Sequence, residues 1–258
     1  MRIVLVGAGR LATNLGKAIC LAGHDIMAVY SYTKANADIL CSVVGGLATD
    51  NIANLPLEAD AFIVAVKDAA LPIVAKQLAK GREQQVFFHT AGSMPLSVFG
   101  GLSQHYGVFY PMQTFSKERQ VDFSPIPIFL EASDDATLSL ARTLAESISR
   151  HVYVLSSEDR KYLHLSAVFA CNFANHCYAL SAELLEKHGI PFDVMLPLVD
   201  ETAHKVHELH PLDAQTGPAV RYDENVIRMQ SSLLSDSPDL QEIYNMLSLN
   251  IYRKAKKQ

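Results

Sequence analysis

Three groups of side chains in this sequence are costly to keep in a fold unless they bind or react. The apolar run 85–89 (QVFFH) ends in His89, Thr90, Gly92 and Ser93. Polar groups closing a buried strand need partners, and an imidazole beside a hydroxyl can move protons. The bland alternative is a satisfied core histidine with Ser93 capping a turn. Segment 110–114 (YPMQT) is a second polar, turn-forming strand end. In the second group, a helical step of about 100° per residue aligns His164, Val168, Cys171, Asn175 and Tyr178, with Asn172 and His176 on the flank. A pure packing stripe would be apolar, whereas imidazole, amide and phenol together suit a polar ligand or a wet interface. The third group is Thr216-Gly217-Pro218-Ala219 with Arg221 and Asp223 close behind. Free N–H groups at such a turn, plus a guanidinium, can hold a carboxylate or phosphate.

These groups need a frame, and the N-terminus supplies one. Residues 1–6 are a β-branched apolar strand leading into Gly7-Ala8-Gly9-Arg10-Leu11-Ala12. This is the Gly-x-Gly-x-x-Ala turn, in which backbone N–H groups opening a helix receive a pyrophosphate. Gly7, Gly9, Arg10, Leu11 and Ala12 are therefore the expected cofactor cradle, and Ala12 and Gly16 are small enough for close helix–sheet packing. NAD-preferring turns carry an acid at the end of the second strand. Here that position reads Tyr30-Ser31-Tyr32-Thr33-Lys34. Ser31 and Lys34 suit a 2′-phosphate, so NADP(H) is expected, although Ser31 and Thr33 could simply cap the next helix. Val66, Lys67 and Thr90, at the ends of later strands, are expected near the nucleotide. A deazaflavin cofactor could use the same turn.

Stepping along the chain, strands are expected at 25–30, 47–49, 61–66, 85–89, 108–110, 126–131 and 152–155, alternating with helices of about ten residues. Asp68 is expected to cap the helix that contains Pro72. That alternation implies an α/β doubly wound parallel sheet over residues 1–155. From 158 to 188 there is no Pro or Gly, and Ser157 is a plausible N-cap for one long helix. Helices follow at about 192–209, 223–234 and 238–257, so residues 156–258 are expected to form an all-helical domain, with a cleft between the two. The net charge of −5 argues against a nucleic-acid surface. No apolar run reaches the roughly 18 residues of a membrane span. Four cysteines without Cys-x-x-Cys spacing fit reduced thiols and a cytoplasmic protein. His204, His207 and His210 form a ladder, yet no carboxylate or cysteine completes a metal set, so a solvated face is expected and no metal.

The glycine turn followed by a long-helix domain resembles the superfamily of pyrroline-5-carboxylate reductases, β-hydroxyacid dehydrogenases and 6-phosphogluconate dehydrogenases. HTAGSMPL, GVFYPMQTFSK, HLSAVFACNFANH and AQTGPAVRYD resemble, more narrowly, a bacterial family of Rossmann-like oxidoreductases with a helical domain of unknown function. The resemblance implies an NADP-linked reductase working as a homodimer through its helical domain. Hydroxyacid dehydrogenases place a lysine, then an asparagine one turn later, on the first long helix. His164 and Val168 stand there instead, which makes a histidine the natural proton donor. The expected activity is hydride transfer to or from a small polar C=O or C=N substrate. His164 would be the donor, His89 and Ser93 would lie near the nicotinamide, and Asn172 or Asn175 would orient the substrate. Thr216, Gly217 and Arg221 would bind its anionic end. The rival expectation is a non-catalytic NADP-binding sensor or assembly protein.

Overall fold

The computed structural model describes residues 1–257. Eight strands form one sheet: β1 (Arg2–Val6), β2 (Asp25–Tyr30), β3 (Leu47–Thr49), β4 (Ala61–Val64), β5 (Val86–His89), β6 (His105–Pro111), β7 (Ile128–Ala132) and β8 (Val152–Val154). Their spatial order is 3-2-1-4-5-6-7-8. β1 and β4 are buried along almost their whole length because both sheet faces are covered, which is why they read as unbroken apolar runs. One face packs on α1 (Arg10–Leu21), α2 (Lys34–Val44) and α4 (Asp135–Ile148) through residues such as Leu15, Leu40 and Leu144. The other packs on α3 (Leu71–Ala79) and a Phe62–Phe87–Phe99 cluster. At roughly 1.5–3 kcal/mol per buried large side chain, these two layers dominate the stability of the sheet.

The chain starts in the middle of the sheet, and the order reverses between β1 and β4. The carboxyl ends of those strands and of β5 therefore border a crevice where ligands bind in such sheets. The doubly wound class is as expected, with one departure. β6 and β7 run antiparallel, Tyr110 opposite Phe129, before β7 pairs in parallel with β8. A strand-by-strand alternation of sequence cannot signal that reversal, because residues 112–127 join the two strands without a helix. β4 stops at Val64, leaving Val66 in the following loop.

The long helical stretch begins with α5 (Ser157–Ala167), passes through a π-helical segment (Val168–Phe173) and continues as α6 (Ala174–Glu186). Its cap is Ser156, which accepts from the Asp159 N–H, rather than Ser157. Ser157 instead donates to Glu131 of β7. Two compact units result, Met1–Asn172 and Phe173–Gln258. The expected boundary at 155/156 followed the change from mixed to helical sequence. The first unit reaches further because Ser157 and Arg160 bind α5 to β7. The second unit comprises α6, α7 (Leu196–Glu208), α8 (Pro218–Arg221), α9 (Glu224–Ser232) and α10 (Pro238–Ala255). No helix among the described residues is long and apolar enough to cross a membrane.

Candidate functional site

The glycine turn has the geometry a nucleotide requires. Gly7 has φ +126°, and a Cβ there would stand 2.3 Å from the Ala65 carbonyl oxygen, so only glycine fits between β1 and β4. Gly9 is the opposite case. It opens α1 without any side-chain cap, and a Cβ built on it meets nothing within 4 Å. The N–H groups of the first helical turn, at Arg10, Leu11 and Ala12, have no intrahelical acceptor, and the space before them is open for a phosphate. A Cβ on Gly16 would stand 2.9 Å from the Leu5 side chain, so a glycine here permits close helix–sheet packing. These residues fit a dinucleotide.

At the end of β2, Ser31 is buried with its N–H on the Thr49 carbonyl, and Thr33 occupies the N-cap of α2 without a side-chain capping bond. The hydroxyls are thus not spent on the helix. Lys34 is exposed and bridges Asp38 one turn on at 2.7 Å, a contact that raises its pKa and that a 2′-phosphate would share. Lys67 is exposed just beyond β4. Asp68 does not cap the next helix, since Lys67 holds that position before a short 3-10 turn. Asp68 takes the Ser93 hydroxyl instead, tying the loops after β4 and β5 together. Thr90 is buried against the Val64 carbonyl.

His89 is enclosed and bonded to backbone. It is fully buried; Nδ1 accepts from the Ala91 N–H at 3.3 Å, and Nε2 lies 3.2 Å from the Pro95 carbonyl. Burial, and next the positive charge of Arg160, push its pKa down to about 4. Both nitrogens are engaged by backbone, so the neutral ring pins the 89–95 loop.

That loop brings Gly92 against the pair that does face open space. The Tyr110 hydroxyl at the end of β6 lies 3.0 Å from His164 Nδ1 on α5, with the two rings edge to face. A Cβ on Gly92 would stand 2.6 Å from His164 Nδ1 and 2.9 Å from Tyr110 Cζ. Burial pushes the Tyr110 phenol above its ordinary pKa, while the Arg160 charge draws it back in part. Tyr110 and His164 border a cavity of about 560 Å³ lined also by Gln113, Thr114, Phe115, Val168, Cys171 and Asn172. The expected helical stripe reaches this cavity only as far as the π segment. An i→i+5 turn offsets the following residues, so Asn172 joins Cys171 on the wall and the regular stripe to Asn175 and Tyr178 is broken. The sequence reading missed Tyr110 as a site residue, although its polar strand end was visible.

In the second unit, Thr216, Gly217 and Arg221 form a sharp turn. Gly217 has φ +104°, α8 is a single turn, and Tyr222 stacks on Tyr252 at 4.5 Å. Asn175 is exposed on α6. His204 and His207 are exposed, with ring centroids 6.5 Å apart, and the described residues contain no cluster of three or more metal-ligating side chains.

Fold and site together define a Rossmann-type dinucleotide-binding domain followed by a helical unit. Residues 1–111 match the Rossmann-like domain, and residues 126–251 match a domain of unknown function, DUF2520. The chain belongs to the family that joins these two domains. A candidate NADP oxidoreductase from Bacteroides fragilis is 51% identical, with 98% of each chain covered and a TM-score of 0.94. The fold is shared at lower identity by two further solved structures. An imine reductase from Myxococcus stipitatus in complex with NADP+ is 14% identical, covering 100% of this chain and 93% of that one, with a TM-score of 0.67. A 1-pyrroline-5-carboxylate reductase from Streptococcus pyogenes is 16% identical, covering 100% and 99%, with a TM-score of 0.65. Among curated proteins no match is found.

Proposed function

We propose that this chain is an NADPH-dependent reductase acting on a small polar C=O or C=N compound. Its general oxidoreductase character rests on the family relationship and on the 51% identical relative. The observation that carries the reaction is the Tyr110–His164 contact on the wall of the cavity. Bound at the glycine turn, NADPH supplies the hydride for the substrate carbon. The protein supplies the proton and the orientation. With His164 protonated, Nδ1–H donates to Tyr110 Oη, which fixes the ring and leaves Nε2–H as the proton to be given to the substrate oxygen or nitrogen. Gln113, Thr114 and Asn172 offer neutral hydrogen bonds for orienting it. Ser31 and Lys34 favour the 2′-phosphate, and in this reading Thr216 and Arg221 serve an anionic substituent.

The protein is further proposed to work as a homodimer. Among the described residues of the second unit, Ala219, Leu234 and Ser248 are the buried ones, whereas Leu198, Val206, Met229, Leu233 and Met246 are exposed. An apolar helical surface of that kind is covered economically by a second copy. Free thiols at Cys20, Cys41, Cys171 and Cys177 favour a cytoplasmic setting. The test is NADPH oxidation by wild type and His164→Ala across a set of cyclic imines and small ketones. Turnover by wild type that falls at least a hundredfold in the variant supports the reading. Equal turnover removes His164 from the mechanism.

A further inference from the structure

Arg160 is buried to 1% exposure on a helix whose neighbouring residues Asp159, Lys161 and Tyr162 are exposed. Its guanidinium meets Glu131 Oε2 at 2.5 Å, donates to the Met94 carbonyl at 2.7 Å and reaches Ser157 Oγ at 3.1 Å. Its Nε is buried without an acceptor. Ser157 closes the network. It donates to Glu131 Oε2 at 2.6 Å, and its oxygen accepts the Leu96 N–H at 2.8 Å. Burial alone would push the Glu131 carboxyl up, but the bonds from Ser157 and Arg160 hold it below the ordinary range.

A buried ion pair with an orphaned N–H is rarely a gain over apolar residues of similar size. What this one does is geometric. The three segments it joins are those that carry the proposed acid site. Met94 lies two residues beyond Gly92 in the loop after β5. Glu131 sits on β7 opposite Val108 of β6, the strand that ends in Tyr110. Arg160 precedes His164 by four residues on α5, so both point along the same helix face. Displacing any of the three segments would separate Tyr110 from His164, now 3.0 Å apart, or move Gly92 from its place against them, where a Cβ would stand 2.6 Å from His164 Nδ1.

We propose that the Arg160–Glu131 pair, with Ser157, positions the Tyr110–His164 dyad by locking the β5 loop, the β6–β7 pair and α5 into one register. The inference rests on the reading of that dyad as the acid site, yet it is read without turnover. Arg160 is a positioning residue and touches no substrate. Lysine cannot replace it, because a single ammonium lacks the planar fork that spans three partners.

The experiment is ¹⁵N-histidine NMR on the full chain, following the Nδ1 resonance of His164, with Tyr110→Phe as the reference for a lost bond. Arg160→Lys and the double variant Arg160→Met with Glu131→Met are compared with wild type alongside thermal melting. The double variant removes both charges together, so the fold is expected to melt within a few degrees of wild type. The expected result is that both move the Nδ1 resonance to the Tyr110→Phe position, while His204 and His207 stay unchanged. With a turned-over substrate, kcat falls at least tenfold and NADPH affinity stays within twofold. A folded double variant with the wild-type Nδ1 resonance overturns the proposal. So does a double variant that cannot fold, since the pair would then be a stability element inseparable from the sheet. An unaffected His164→Ala would sink the function alone, leaving the NMR result to stand.

Discussion

Gly92→Ala isolates the geometry of the proposed acid site in one methyl group. Gly92 has no left-handed backbone strain, so alanine can adopt its conformation and only the added carbon matters. That carbon would stand 2.6 Å from His164 Nδ1, whereas ordinary contact begins near 3.4 Å. His164 must retreat by about 0.8 Å, and Tyr110, approached to 2.9 Å, must move as well. From 3.0 Å, the Tyr110–His164 bond then lengthens beyond the range in which it holds the ring. A misplacement of this size is worth about a hundredfold in turnover. Overpacking costs stability by about 1–3 kcal/mol. The assay is NADPH oxidation with an accepted imine or ketone, beside NADPH affinity by fluorescence titration. Turnover should fall about a hundredfold with affinity within twofold of wild type. Turnover within threefold of wild type in a folded variant would refute the claim that Gly92 makes room for a working dyad.

Other outcomes follow from the same geometry. Gly9→Ala should leave the melting temperature of the cofactor-free chain within about 2 °C, because its Cβ meets nothing, yet weaken NADPH binding at least tenfold by titration calorimetry. Gly7→Ala should do the reverse first, destabilising the chain in urea by several kcal/mol, about 3 or more, through its positive φ and the Ala65 carbonyl. Lys34→Ala should weaken NADPH about tenfold and leave NADH unchanged, as measured by paired titrations. His89 binds its proton more weakly folded than unfolded, so its contribution is complete above pH 6.5 and is lost as pH falls towards its folded pKa of about 4. Over that window the loss is about 3 kcal/mol. Urea melts of His89→Asn should show a correspondingly shallower pH slope, and an unchanged slope would contradict the locked neutral ring.

Much of the frame was legible because its causes are local. A strand, two glycines with different duties and an acid-free second strand end lie within 34 residues. The proposed acid site was half legible. His164 stands out as a polar residue on a helix, but its partner Tyr110 is 54 positions away, on a strand whose end looked like a turn. Gly92 carries no signal of the two rings it accommodates. Arg160 sits among Glu158, Asp159 and Lys161, so its sequence neighbourhood reads as a solvated charge run although the side chain is buried. His89 was singled out correctly as a polar group needing partners, and those partners proved to be backbone. The π segment was invisible to a 100° periodicity, because an i→i+5 turn changes the face without changing the composition.

The proposed NADPH-linked reduction takes its proton from His164. Its most direct test is deuterium transfer from [4,4-²H₂]NADPH to a cyclic imine or small ketone, followed by mass spectrometry for wild type and His164→Ala. Deuterated product is expected from wild type, with a rate at least a hundredfold lower in the variant and NADPH affinity alike in both. Equal rates of labelled product from the two proteins, or no labelled product from wild type while it binds NADPH tightly, would contradict it.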